Sequence, residues 1–181
     1  RNQTILLVPD CGRRMRAMDG ELSQFDHCLN AMLLISYIAL RQSDEVGVVG
    51  FGGVQRWLKP VKGPPAMPKI LNHLYDYETT TQPSDFGEAA ERVMACQKRR
   101  SLVILLTNLR TEDSADLIKA VRVMQTTQGA TVLLPGESSS ELLAQAEAFI
   151  SNAMPARARE KVKEQFDAHR AVRQAMRAPA Q

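Results

Sequence analysis

The sequence predicts an α/β protein with a mostly parallel central sheet, helices on both faces and one antiparallel edge strand. Two observations carry this: short apolar runs alternate with longer segments of helical period, and two β-like runs flank a Gly-Gly pair at hairpin spacing. Strands that alternate with helices must cross over, which makes neighbouring strands parallel and covers both faces of the sheet.

The apolar runs are Ile5 to Val8, Val46 to Phe51, Leu102 to Leu106 and Thr131 to Leu134, each short, rich in β-branched residues and bounded by polar or glycine positions. Such runs read as strands buried on both faces. Helical period appears in Phe25 to Leu40, Met67 to Tyr75, Phe86 to Cys96 and Ala115 to Met124. Ser23 with Asp26 has the pattern of a cap on the first helix, and Ser84 with Asp85 marks the start of the third. Pro64-Pro65 and Pro68 mark the loop and first turn before the second. Gly52-Gly53 separates Val46 to Phe51 from Val54 to Leu58, which is therefore expected to be the antiparallel edge strand.

Residues 1–150 are expected to form this domain. They are near neutral, with 16 Lys and Arg against 17 Asp and Glu, whereas residues 151–181 carry 7 against 3. In that basic tail Val162, Phe166, His169, Val172 and Met176 recur at helical spacing, a narrow apolar stripe suited to docking or self-association. Ser151-Asn152-Ala153-Met154 reads as the scar of a cleaved expression tag followed by an initiator methionine, which would make residues 154–181 a native N-terminal segment placed last. A natural C-terminal helix is the competing reading, and a tryptic peptide spanning Ile150 and Ser151 distinguishes the two.

Apolar residues make up 44% and charged residues 24%, as in ordinary globular proteins. The longest apolar stretch, Ala31 to Leu40, falls short of a bilayer span, and no signal peptide is visible, so a cytoplasmic location is expected, at the inner face of the membrane for a full-length protein. Cys11, Cys28 and Cys96 lack paired spacing, which argues against disulfides and a structural zinc site. Lys98-Arg99-Arg100 closes a helix, where cations complement the dipole, and with 5% aromatics the main domain is not expected to bind nucleic acid. For the tail, nucleic acid or an anionic membrane surface stays open.

The first strand ends in Asp10-Cys11-Gly12-Arg13-Arg14, where parallel sheets carry ligand loops. Gln82 to Phe86 and Thr107 to Arg110 should converge with it. At these loops the sequence resembles the von Willebrand factor A domain, whose metal-ion-dependent adhesion site takes an Asp-x-Ser-x-Ser loop, a threonine from a second loop and an aspartate from a third. More narrowly, it resembles the bacterial branch known as domain of unknown function 58. That resemblance runs through Asp10-Cys11-Gly12-Arg13, Ala39-Leu40-Arg41, Asp44-Glu45-Val46-Gly47, Phe51-Gly52, Leu71 to Leu74, Ser84-Asp85-Phe86 and Arg99-Arg100-Ser101-Leu102-Val103, over about residues 1–135.

By this resemblance Asp10 matches the first metal-site aspartate, Gly12 and Arg14 fall where two serines belong, Ser84 matches the threonine and Asn108 falls where the last aspartate belongs. Two hydroxyls and one carboxylate are missing, too little to offset dehydration of a magnesium ion. The expectation is a non-enzymatic protein-interaction module with a degenerate, metal-free site, without cofactor, in which Arg13 or Arg14 pairs with Asp10; the alternative is that both arginines point into solvent. The contact face is expected at Asp10, Gly12, Arg13, Arg14, Ser84, Asp85 and Asn108. The resemblance further implies a MoxR-type AAA+ ATPase as partner. Two alternatives remain: weak divalent-cation binding by Asp10, Ser84 and Asn108, and an enzyme using Cys11, whose thiol pKa the neighbouring arginines would lower.

Overall fold

A computed structural model describes residues 3–108 and 113–128. The strands of the main sheet are β1 (Thr4–Pro9), β4 (Glu45–Val49), β5 (Trp57–Val61) and β6 (Leu102–Leu106), in the order β5-β4-β1-β6. β1 pairs in parallel with both β4 and β6, and β5 runs antiparallel to β4 at the edge. Because the chain leaves β1 first toward β4 and later returns as β6 on the other side, the topological switch lies at the carboxyl end of β1. A crevice opens there in open α/β sheets. Asp10 is the next residue.

Alternation along β1 divides the core. Ile5 and Leu7 join a cluster with Phe25, Leu29 and Met32 of α1 (Gln24–Arg41) and with Ile70 and Leu74 of α2 (Ala66–Leu74). Leu6 and Val8 join Phe86, Ala89 and Val93 of α3 (Phe86–Cys96) and Leu117, Ala120 and Met124 of α4 (Ser114–Gln128). Each large apolar side chain removed from water in this way contributes roughly 1.5–3 kcal/mol. Strand residues facing two layers of helices explain why β1 and β6 read as unbroken apolar runs.

The caps follow the expected chemistry. Ser23 Oγ accepts from Asp26 N–H at 3.1 Å while Asp26 Oδ2 accepts from Ser23 N–H at 3.1 Å, a reciprocal capping box on α1. Asp85 Oδ1 accepts from Glu88 N–H at 3.0 Å and caps α3. Helix α2 starts at Ala66, directly after Pro65.

Three features depart from expectation. The edge strand begins at Trp57 and not at Val54, because Phe51 leaves β4 to bridge in parallel with Asp10, and Gly52 and Gly53 carry the chain on in the left-handed region. A tight two-residue hairpin cannot form once the chain has turned toward β1. A small hairpin of β2 (Met18–Asp19) and β3 (Leu22–Ser23), turning at Gly20 with φ +66°, precedes α1. A 3-10 turn over Arg13–Arg16 joins it to β1. The expected strand at Thr131 to Leu134 and the tail of residues 151–181 lie outside the described residues.

Below α2, His73 Nε2 lies 3.0 Å from the buried Tyr77 hydroxyl, and Arg56 stacks over the Tyr77 ring, 5.2 Å from its centroid, while pairing with Asp76. Burial, and then the Arg56 charge, lower the His73 pKa below 6.5. The native state therefore favours neutral His73, and the unfolded chain binds the extra proton as pH falls below 6.5. Thermal melts should show stability falling with pH through that window, and His73→Gln should flatten the dependence.

Candidate functional site

Four stretches meet at the end of β1, tied by backbone hydrogen bonds. Asp10 N–H donates to Leu106 O at 2.9 Å and Cys11 N–H to Phe51 O at 2.9 Å. Thr80 N–H donates to Cys11 O at 2.7 Å and Arg13 N–H to Gln82 O at 2.9 Å. Thr80 also donates its hydroxyl to Gly52 O at 2.5 Å, so one side chain joins two of the loops.

Asp10 is the centre and is fully enclosed. Its Oδ1 accepts from Gly12 N–H at 2.7 Å and its Oδ2 from the Thr107 hydroxyl at 2.6 Å. Hydrogen bonds to an ionised carboxylate are the strong kind, and they hold a buried charge that would otherwise be costly. Gly12 lies against this carboxylate and against Ser84. A Cβ built on Gly12 would lie 2.5 Å from Ser84 Oγ and 3.0 Å from Asp10 Oδ1. The Ser84 hydroxyl is buried and has no hydrogen-bond partner among the described residues.

The expected pairing of Asp10 with an arginine is corrected. Arg14 makes a two-point ion pair with Asp113 at the start of α4, Nη1 on Oδ2 and Nη2 on Oδ1, the second at 2.9 Å. Arg13 is exposed. Both arginines lie on the 3-10 turn, which buries Met15 to 3% exposure between Arg14 and Arg16. Asp10 is left to neutral donors that are close enough to reach it without long side chains.

Of the expected contact residues, Asp10, Gly12 and Ser84 come together directly. Arg13 meets the Gln82 loop only through its backbone, and Arg14 reaches α4. Asp85 is exposed and serves as the α3 cap. The Asn108 side-chain amide donates to Gln24 Oε1 at the start of α1. Thr107 and Thr80 escaped sequence reasoning. A hydroxyl residue directly after the apolar run of β6, at the switch point, was the signal available for Thr107.

The alternative of a Cys11 thiol activated by the arginines is corrected. Burial, with the Asp10 charge as a second cause, pushes it up to about 12. Cys11 is fully enclosed, and its Sγ lies 3.8 Å from Pro9 O. A thiol held protonated is a poor nucleophile. Iodoacetamide at pH 8 should label the half-buried Cys96 and leave Cys11 unmodified in the native protein, as read by peptide mass spectrometry.

Among the described residues, no group of three or more His, Cys, Asp or Glu side chains could hold a metal ion. None of their helices is long and apolar enough to cross a membrane.

The family model described as "Protein of unknown function DUF58" matches residues 1–176. The chain belongs to this family. No curated protein matches the DUF58 chain. Among solved structures it is similar to the conserved hypothetical protein BatB from Bacteroides thetaiotaomicron, at 16% identity and a TM-score of 0.51, covering 74% of this chain and 65% of that one. An aerotolerance-related membrane protein from Bacteroides fragilis is similar at 15% identity and a TM-score of 0.52, covering 74% and 66%. The DUF58 chain thus spans just under two thirds of either neighbour. Proximal thread matrix protein 1 from the mussel byssus matches at 13% identity and a TM-score of 0.51, covering 81% of this chain and 44% of that one. At such identities the likeness concerns the fold alone, an α/β fold with a mostly parallel central sheet and one antiparallel pair, as expected.

Proposed function

We propose that this DUF58 domain is a non-enzymatic protein-interaction module whose adhesion site is degenerate and works without a metal, alongside a MoxR-type AAA+ ATPase that performs the mechanical work. The observation that carries the metal-free reading is the state of Asp10: both carboxylate oxygens are engaged, by Gly12 N–H and by Thr107. A divalent ion would have to displace strong hydrogen bonds and then find few other anionic ligands, since the Asp113 carboxylate is held by Arg14 and that of Asp85 caps α3. Magnesium keeps its water shell unless near-ideal oxygen ligands replace it. The residues present do not fit the ion.

The Arg14–Asp113 pair supports the same reading, because it ties the site loop to α4 by a two-point contact of the kind arginine forms best. Isothermal titration with magnesium or manganese should give no saturable heat, and pull-down of a MoxR-type ATPase should persist in excess chelator. Saturable heat, or partner release by chelator, would sink the metal-free reading.

One observation favours a second reading, weak divalent binding through Asp10, Ser84 and Asn108 completed by a partner carboxylate. The Ser84 hydroxyl is buried without a partner and so has lone pairs to offer. Chelator-sensitive association that Ser84→Ala abolishes would establish it. For the basic tail, docking or self-association is part of the same proposal, and light scattering with and without residues 151–181 tests it.

A further inference from the structure

The 3-10 turn that follows the site loop has a chemistry of its own. In a 3-10 helix residues three apart eclipse one another, with a rise of about 2.0 Å per residue, so Arg13 and Arg16 emerge on one side roughly 6 Å apart. Both are exposed, and neither forms an ion pair among the described residues. The turn is held at both ends and in the middle: Arg13 N–H donates to Gln82 O, Ala17 N–H donates to Arg14 O at 3.1 Å, and Met15 is buried. Two residues beyond Arg16, Met18 stands 65% exposed on the hairpin. An exposed apolar side chain two residues after a fixed turn that carries two exposed arginines gives this short stretch of surface a mixed character.

We infer that Arg13, Arg16 and Met18 form a docking edge for an acidic helical segment of a protein partner. Carboxylates at positions i and i+3 or i+4 of a helix have Cβ atoms about 5–6 Å apart, which matches the spacing of the two arginines. Methionine is unbranched and adapts its shape to an apolar residue on such a segment. Three acidic groups on adjoining elements are already engaged or enclosed: Asp10 is enclosed, Asp113 is paired with Arg14, and Asp85 caps α3. Asp19 and Glu21 lie on the hairpin that carries Met18 and would set the direction in which an acidic helix lies. This inference rests on the reading of the site-loop end as the contact face, and it names the partner's chemistry there.

The test uses the full chain and three fluorescein-labelled probes: a helical peptide with glutamates at i and i+4 around one leucine, its lysine-for-glutamate twin, and a single-stranded oligonucleotide. Anisotropy should show saturable binding of the acidic peptide, weaker at 500 mM than at 50 mM salt, and none of the twin. Arg13→Gln with Arg16→Gln should weaken binding at least tenfold and Met18→Ser about threefold, while Lys98→Glu, on an exposed residue at the far end of α3, should leave it unchanged. Thermal melts of each variant establish that it folds. Equal binding of the twin, preferential binding of the oligonucleotide through the same arginines, or full retention by the folded double variant would overturn the inference. If a MoxR-type ATPase binds in chelator and binds the folded double variant as well as the wild type, the inference fails while the proposed function stands.

Discussion

Asp10→Ala is expected to lower the unfolding free energy by about 3–5 kcal/mol, because it strands two buried donors at once. Gly12 N–H and the Thr107 hydroxyl both lose a charged acceptor in a place that water does not reach. Hydrogen bonds to an ionised group contribute about 1.5–3 kcal/mol each, and an orphaned buried donor adds its desolvation cost. Asp10→Asn should fall between wild type and alanine: its carbonyl can accept from one donor, while its amide faces the other. Urea titration followed by circular dichroism measures both. An alanine variant with an unchanged midpoint would remove Asp10 from the support of the loop.

Gly52→Ala is expected to cost about 2–4 kcal/mol, from two separable causes. Gly52 has φ +76°, a conformation that disfavours any L side chain. A Cβ there would also lie 2.6 Å from Gly12 N, a backbone atom that cannot rotate away. Gly20→Ala is the control: with φ +66° and nothing within 4 Å of the added carbon, it carries the conformational cost alone, about 1–2 kcal/mol. Equal losses in the two variants would show that Gly12 and Gly52 do not need their close approach.

The parts of this fold that were legible in the sequence are those set by local pattern. Leu102–Leu106 is apolar throughout because it is covered on both faces, and α3 carries its own stop and start signals, so its bounds Phe86–Cys96 matched expectation. The β2–β3 hairpin has two residues per strand, too short to show a period. The edge strand was misplaced because a bridge between Asp10 and Phe51 decides where β4 ends, and that bridge is a tertiary fact.

The site divides in the same way. Asp10 was readable as the residue closing a buried strand at the switch point. Its partner Thr107 is 97 positions away and the Arg14 partner Asp113 is 99 away, and no local rule connects such distances. Two adjacent arginines next to an aspartate invite a local pairing, yet Arg14 pairs with Asp113 and Arg13 is exposed.

The Ser84 hydroxyl that fills the space beside Gly12 also limits what position 12 can carry. Placing a serine at position 12 would put its Cβ 2.5 Å from Ser84 Oγ. Moving Ser84 out of the way removes one of the few oxygens an ion could use. A side chain at position 12 thus requires the Ser84 hydroxyl to rotate away from the space it fills, so the two positions are coupled through one contact.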